Sequence, residues 1–195
     1  MNEIIYLYIA QFARTNLWLD NLAVLIATLA LYFVPLALVI RIFAEKSWRR
    51  RWLFAAELIL AGILSRGIVT PAIRFFYEHP RPFVLYGTEP LLNETSNSFP
   101  SGHAAFLFAL AMTAWFYNRR WGNWLFAVAS LVGLARIFAG VHWPFDVLGG
   151  AAVGILSAWL IHRLLKTDLN SAPPAETTEN SVPLAAAGQS QEQGS

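Results

Sequence analysis

The sequence predicts an all-α fold of the membrane type: a polytopic helical bundle of about five transmembrane helices, with an N-terminal helix beside it. Three observations carry this expectation. Of the 195 residues 56% are hydrophobic and only 13% charged, and the mean hydropathy is +0.47, values wrong for a soluble globule of this size. The apolar residues fall into long uncharged runs rather than into alternating or amphipathic patterns. The lysines and arginines cluster in short segments between alternate runs.

The elements follow in order. "MNEIIYLYIAQFARTN" carries Glu3 where a secretory signal needs positive charge and lacks a small-residue cleavage pattern, so it reads as a retained segment. Ile4, Ile5, Leu7, Tyr8 and Phe12 suit a short interfacial helix or the first turns of a longer one. Leu22 to Ile40, interrupted only by Pro35, is long enough to cross roughly 30 Å of hydrocarbon at about 1.5 Å per residue. Trp52 to Ile73 makes a second span, with Glu57 and Arg66 facing other helices or water. Those two are about 13 Å apart along one helix and do not pair directly.

Three shorter runs complete the bundle: Ala104 to Tyr117, Trp121 to Ala135 and Val147 to Ile161. Each falls below the roughly 20 residues of a full span, so each is expected to continue through polar residues buried in a shared site. Residues 1–166 are thus one integral membrane domain. Residues 167–195, rich in Ala, Ser, Pro, Glu and Gln without apolar period, read as a disordered cytoplasmic tail.

Cation placement orients the bundle. Arg41, Lys46, Arg49, Arg50 and Arg51 follow span one, Arg119 and Arg120 follow span three, and Arg163 and Lys166 follow span five. The opposite side holds only Arg14, Arg74, Arg81 and Arg136, so the first group marks the cytoplasmic face. Topology therefore explains the net charge of +2 and the pI near 9.2 better than a nucleic-acid partner does. With no cysteine there is neither a disulfide framework nor a thiolate metal site.

Three pieces meet on the outward side: "RFFYEHPRP" at 74–82, "PSGH" at 100–103 and "ARIFAGVHWPFD" at 135–146. Arginine stays charged and grips phosphate oxygens bidentately, so Arg74, Arg81 and Arg136 suit a phosphate clamp. Ser101 caps the helix that follows, and with Gly102 offers backbone N–H groups at its positive end. His103, one residue on, reaches the same anion. If Pro144 opens the fifth span, Asp146 comes onto the side of His142 at i+4, orienting it as a nucleophile while His103 serves as acid and base. No cofactor or metal is needed for this scheme. Taken singly, each histidine has a bland reading as a cap neighbour or a member of an aromatic belt. His79 is as readily a solvated loop residue, and His162 a helix end. The loop from Phe83 to Phe99 is long for an inert connector and is suited to cover a headgroup.

The three pieces resemble the signature motifs of the type 2 phosphatidic acid phosphatase superfamily: Lys-x6-Arg-Pro, Pro-Ser-Gly-His and Ser-Arg-x5-His-x3-Asp. Arg74 stands in place of the lysine and Ala135 in place of the serine. The resemblance implies that Arg74, Arg81, Ser101, Gly102 and Arg136 hold phosphate, that His103 is the acid, His142 the nucleophile and Asp146 its partner. "PRPFV" and "HWPFDVLGG" are most similar to the bacterial undecaprenyl pyrophosphate phosphatases of the bacitracin-resistance type. That likeness implies hydrolysis of undecaprenyl diphosphate, recycling of the cell-wall lipid carrier, and a plasma-membrane protein with an extracytoplasmic site. Alternatives stay open at this point. One is another lipid phosphate, such as phosphatidic acid, phosphatidylglycerol phosphate or lipid A. Others are a transporter or lipid-binding protein using Arg66 and Glu57, and a metal held by His103, His142 and Asp146.

Overall fold

The computed structural model describes residues 1–171, and all regular structure among them is helical. Helix α1 spans Asn2–Ala10, α2 Leu17–Phe43, α3 Trp48–Gly62, α4 Thr70–Phe76, α5 Pro82–Tyr86, α6 Gly102–Tyr117, α7 Arg119–Phe138 and α8 Pro144–Ser171. A π-helical segment, Ile63–Val69, joins α3 to α4, so that Trp48–Phe76 is one continuous rod of 29 residues. The last helix runs past position 166, where the tail was expected to begin. The remainder of that tail, 172–195, lies outside the described residues.

Local chemistry explains where the helices start and stop. The Asn16 side chain accepts the N–H of Trp18 at 2.9 Å and caps α2. The π segment precedes Pro71, which offers no N–H to the carbonyl four residues back. The chain widens its turn instead, and both the N–H and the hydroxyl of Thr70 reach the Ser65 carbonyl, the latter at 2.8 Å. Asn118 is the single residue between α6 and α7. Extended at φ −154° and ψ 109°, it ends one helix and caps the next by accepting the Trp121 N–H at 3.1 Å. After α7 the chain turns at Gly140, whose φ of 79° a side chain would strain, and α8 opens on Pro144 as expected.

Among the described residues four helices are long and apolar enough to cross a membrane: Leu17–Phe43, Trp48–Phe76, Arg119–Phe138 and Pro144–Lys166. The expectation that all three short runs lengthen holds for α7 and α8 but not for α6. Ser101 and Asn118 bound α6 to 16 residues, about 24 Å at α-helical rise. The shortfall is tolerable because α6 is the central helix, packed against α3, α7 and α8, with Ala105, Leu107, Ala109 and Ala111 essentially sealed from the exterior.

Helix α8 lies closest to α6, and two glycines permit it. A Cβ on Gly150 would strike the Ser101 carbonyl and come within 2.9 Å of the Ala104 methyl. One on Gly154 would strike the Ala105 carbonyl. This contact sets the start of α6 beside the start of α8, which places Ser101 to His103 near Asp146. Helix α1 is separate from α2 and not the first turns of a longer helix. Its buried Tyr6 packs 5.1 Å from the Trp143 ring, bracing the α7–α8 turn.

Candidate active site

At the end of the bundle where the 77–101 segment meets the α7–α8 turn lies a cavity of about 130 Å³. It is lined by Arg66, Thr70, Pro71, Arg74, Glu94, Gly102, His103, Arg136 and His142. Residues from five stretches of chain converge there, four of them at helix ends: Arg74 in the last turn of α4, Gly102 and His103 in the first turn of α6, Arg136 in the last turn of α7, and His142 just before α8, with Glu94 coming from the loop between α5 and α6.

His142 is 1% exposed and backed by the fully buried Asp146. Its Nδ1 lies 3.4 Å from Asp146 Oδ2, close but not aligned as a hydrogen bond. Oδ2 is already occupied: it accepts the Trp143 N–H at 2.7 Å and a short bond from the Ser98 hydroxyl. His142 Nδ1 and Asp146 Oδ1 are both buried without partners, so the pair is assembled but not closed. Burial pushes the His142 imidazole down to about 4, against the Asp146 carboxylate, which favours the charged form. At neutral pH the ring is therefore uncharged and keeps a lone pair for attack.

The arginines divide. Arg74 faces the cavity while its guanidinium is steadied by the Pro100 carbonyl at 2.8 and 3.2 Å and by Ser96 Oγ at 3.0 Å. Arg136 faces it too, donating to His103 Nε2 at 3.3 Å and pairing closely with Glu94, with its Nε left unpartnered. Since arginine only donates, His103 Nε2 is the acceptor in this arrangement. Arg81 does not line the cavity. Its donors go to the Ser96 carbonyl at 2.7 Å, the Val141 carbonyl at 2.7 Å, Ser96 Oγ at 3.2 Å and Glu94 at 3.4 Å. It ties the 94–97 segment to the turn that carries His142. Burial lowers Arg81 to about 10, which leaves it charged at neutral pH.

Ser101 is likewise behind the wall. Its N–H donates to the Asp146 carbonyl at 2.9 Å and its hydroxyl caps the Ala104 N–H at 3.5 Å, so it joins α6 to α8. Gly102 reaches the cavity, and a Cβ there would sit 3.8 Å from Arg74 Nη2. As the first residue of α6 it has an N–H with no partner inside the helix, a donor suited to an anion.

Two participants were missed. Glu94 is the one carboxylate in the cavity wall; burial pushes its pKa up, but Arg136 and Arg81 hold it below the usual range. Ser98 is fully buried against Asp146. Both sit in the 83–99 loop already read as a headgroup cover, but no spacing rule singles them out. His79 is exposed and not part of the wall. Among the described residues no group of three His, Cys, Asp or Glu side chains is placed to hold a metal ion.

An all-helical membrane bundle with two histidines and three arginines around one polar cavity defines a class: an integral membrane protein with an anion site at one end. The profile of the PAP2 superfamily matches residues 52–169, and the chain belongs to that superfamily. It is 32% identical over 165 residues to undecaprenyl-diphosphatase BcrC of Bacillus subtilis, covering 84% of this chain and 83% of that one. The fold is similar to that of Aquifex aeolicus LpxE, with a TM-score of 0.70 and 29% identity over 83% of this chain and 94% of that one. It is also similar to a transmembrane PAP2-type phosphatidylglycerolphosphate phosphatase from Bacillus subtilis, with a TM-score of 0.67, 25% identity and 85% of each chain covered.

Proposed function

We propose that the protein removes the terminal phosphate of undecaprenyl diphosphate, giving undecaprenyl phosphate and inorganic phosphate and so returning the cell-wall lipid carrier to use. The observation that carries the reading is the cavity itself: an uncharged His142 backed by Asp146, with His103, Arg74, Arg136 and the start of α6 on the same wall. In the first step Nε2 of His142 attacks the terminal phosphorus. The N–P bond forms as the bond to the bridging oxygen breaks, and the electron pair leaves with the lipid phosphate. In the second step water attacks the phosphohistidine, the P–N bond breaks and inorganic phosphate departs.

Arg74, Arg136 and the Gly102 amide hold the equatorial oxygens, while Arg81 and Ser101 position the segments that carry the site. Phosphate oxygens draw Arg136 from His103, freeing Nε2 to carry the proton given to the leaving group and then to take one from water. A leaving phosphate with a second pKa near 6 is weakly basic, so the demand on His103 as an acid is light for a diphosphate. The basic segments at 41–51 and 119–120 support a cavity that opens on the extracytoplasmic face of a bacterial plasma membrane.

The likeness to a phosphatidylglycerolphosphate phosphatase supports a second reading, in which a lipid monophosphate is the substrate. The test is phosphate release from undecaprenyl diphosphate by the purified protein in excess EDTA, with His142→Ala alongside. Release by the parent and none by the variant is expected. Loss of release in EDTA would point to a metal, and release from monophosphates alone would favour the second reading. Release undiminished in the variant would remove His142 from the chemistry, and no release by the parent from any lipid phosphate would return the transport or lipid-binding reading.

A further inference from the structure

A second cavity, about 840 Å³, lies apart from the polar site. It is an apolar groove between α2, α3 and α6, lined by residues such as Leu38, Val39, Ala55, Ile59, Phe106 and Leu110. One residue belongs to both cavities: Arg66, in the π segment, lines the groove and the polar site alike. Its Nη1 is buried and has no hydrogen-bond partner among the described residues. An arginine within a membrane span is costly, and an unsatisfied donor on it more so, unless a ligand completes it.

The π segment explains how Arg66 reaches the site. In an unbroken α-helix eight residues would turn Arg66 roughly 80° away from Arg74. The wider turn ahead of Pro71 changes that phase, and both guanidinium groups line one cavity. The cavity wall then carries three arginines against one carboxylate, Glu94. A lipid monophosphate is matched by Arg74 and Arg136; a lipid diphosphate brings a second phosphoryl group toward its tail, which is where Arg66 stands.

Resting on the diphosphatase reading, we propose that Arg66 binds the lipid-proximal phosphate of the diphosphate, and that the isoprenoid chain leaves along the groove between α2 and α3. Arg66 thereby selects diphosphates over monophosphates and steadies the charge on the departing lipid phosphate. The groove supplies the apolar surface, and the cation at its head supplies the registration.

The experiment compares the parent, Arg66→Gln, Arg66→Lys and Ala55→Trp on undecaprenyl diphosphate, geranyl diphosphate and a lipid monophosphate, with thermal midpoints recorded for each. Arg66→Gln is expected to lower the ratio of diphosphate to monophosphate kcat/KM about tenfold to a hundredfold, with Arg66→Lys recovering part of it. Ala55→Trp, which fills the groove, is expected to raise KM for the long-chain diphosphate several-fold and to leave the geranyl substrate unchanged. Equal loss on diphosphate and monophosphate, or no loss on either, overturns the assignment of Arg66 while the diphosphatase reading stands. Equal response of long and short chains to Ala55→Trp overturns the tail path. A parent that cleaves only the monophosphate overturns the diphosphatase reading and this proposal with it.

Discussion

Two of the buried polar clusters among the described residues differ in whether their hydrogen bonds close. Glu57 of α3 is 4% exposed, yet both its oxygens are satisfied, Oε1 by the Tyr117 hydroxyl at 2.9 Å and Oε2 by His162 Nδ1 at 2.9 Å. The His162 ring is further stacked 4.0 Å from Phe116. At the opposite end, Arg66, Arg136, His142 and Asp146 each keep a buried atom without a partner. The closed cluster joins α3, α6 and α8, and both oxygens of its carboxylate are taken up. The open one has donors and acceptors in place for a group that arrives from outside. Completeness of hydrogen bonding, more than burial or charge, separates a structural cluster from a binding one here.

The comparison can be broken most sharply at His142. His142→Ala should cut phosphate release by more than about 10³-fold while leaving the thermal midpoint nearly unchanged, measured on the same detergent preparation. A surviving rate within tenfold of the parent would remove His142 from the chemistry. Asp146→Asn should cost on the order of 10² in kcat, because the amide no longer holds the ring as a carboxylate does. Some stability should go with it, since the Ser98 and Trp143 donors bond to the same carboxylate. Finding stability lost but turnover intact would make Asp146 structural only.

Glu57→Leu inverts the pattern. It leaves the Tyr117 hydroxyl and the His162 ring without their acceptor, and should destabilise the protein by roughly 1–3 kcal/mol in a denaturant or thermal series. Activity per folded molecule should not move, and a selective loss of turnover would erase the distinction between the two clusters.

The pH response sharpens it further. With its folded-state pKa lowered to about 4 by burial, His142 should stay neutral well below pH 6.5, and its imidazole NMR signals should titrate near 4. Between pH 6.5 and 4 the unfolded chain takes up the proton and the folded site does not. Falling pH through that window therefore removes stability. A midpoint near 6.5 would mean that the ring is hydrated. The smallest effect is expected at Glu94, which competes with phosphate for Arg136. Glu94→Gln should tighten product inhibition by inorganic phosphate about threefold to tenfold, and weaker inhibition would show that Glu94 orders the loop instead.

Much of this was legible in the chain. Uncharged runs of membrane length left helices as the spanning structure, because backbone groups facing lipid must be satisfied within the segment. The cap at Ser101, the start of α8 at Pro144 and the i, i+4 approach of His142 and Asp146 followed from local rules. Arg81 was read as a member of the clamp because its type and position suit phosphate. In the fold the Ser96 and Val141 carbonyls, 15 and 60 positions away, take its donors. The pairing of Glu57 with His162 spans 105 positions and has no periodic signature. The end of α6 at Asn118 was hidden because a helix shielded on several sides by others need not meet the length that lipid imposes on an exposed one.

The sequence by itself determined a multi-pass helical membrane protein and the residue types that one end of it would gather. Hydropathy and short-range spacing act within a few turns of the chain, and both are written in it directly. Only the tertiary structure decided which of those residues face the cavity. It set Arg66 toward the site through a π turn, withdrew Arg81 to the backbone, and brought in Glu94 and Ser98 from a loop without pattern. The physical reason is that a guanidinium or carboxylate turns to whichever partner comes within about 3 Å. Those partners arrive from parts of the chain that meet only once the helices have packed.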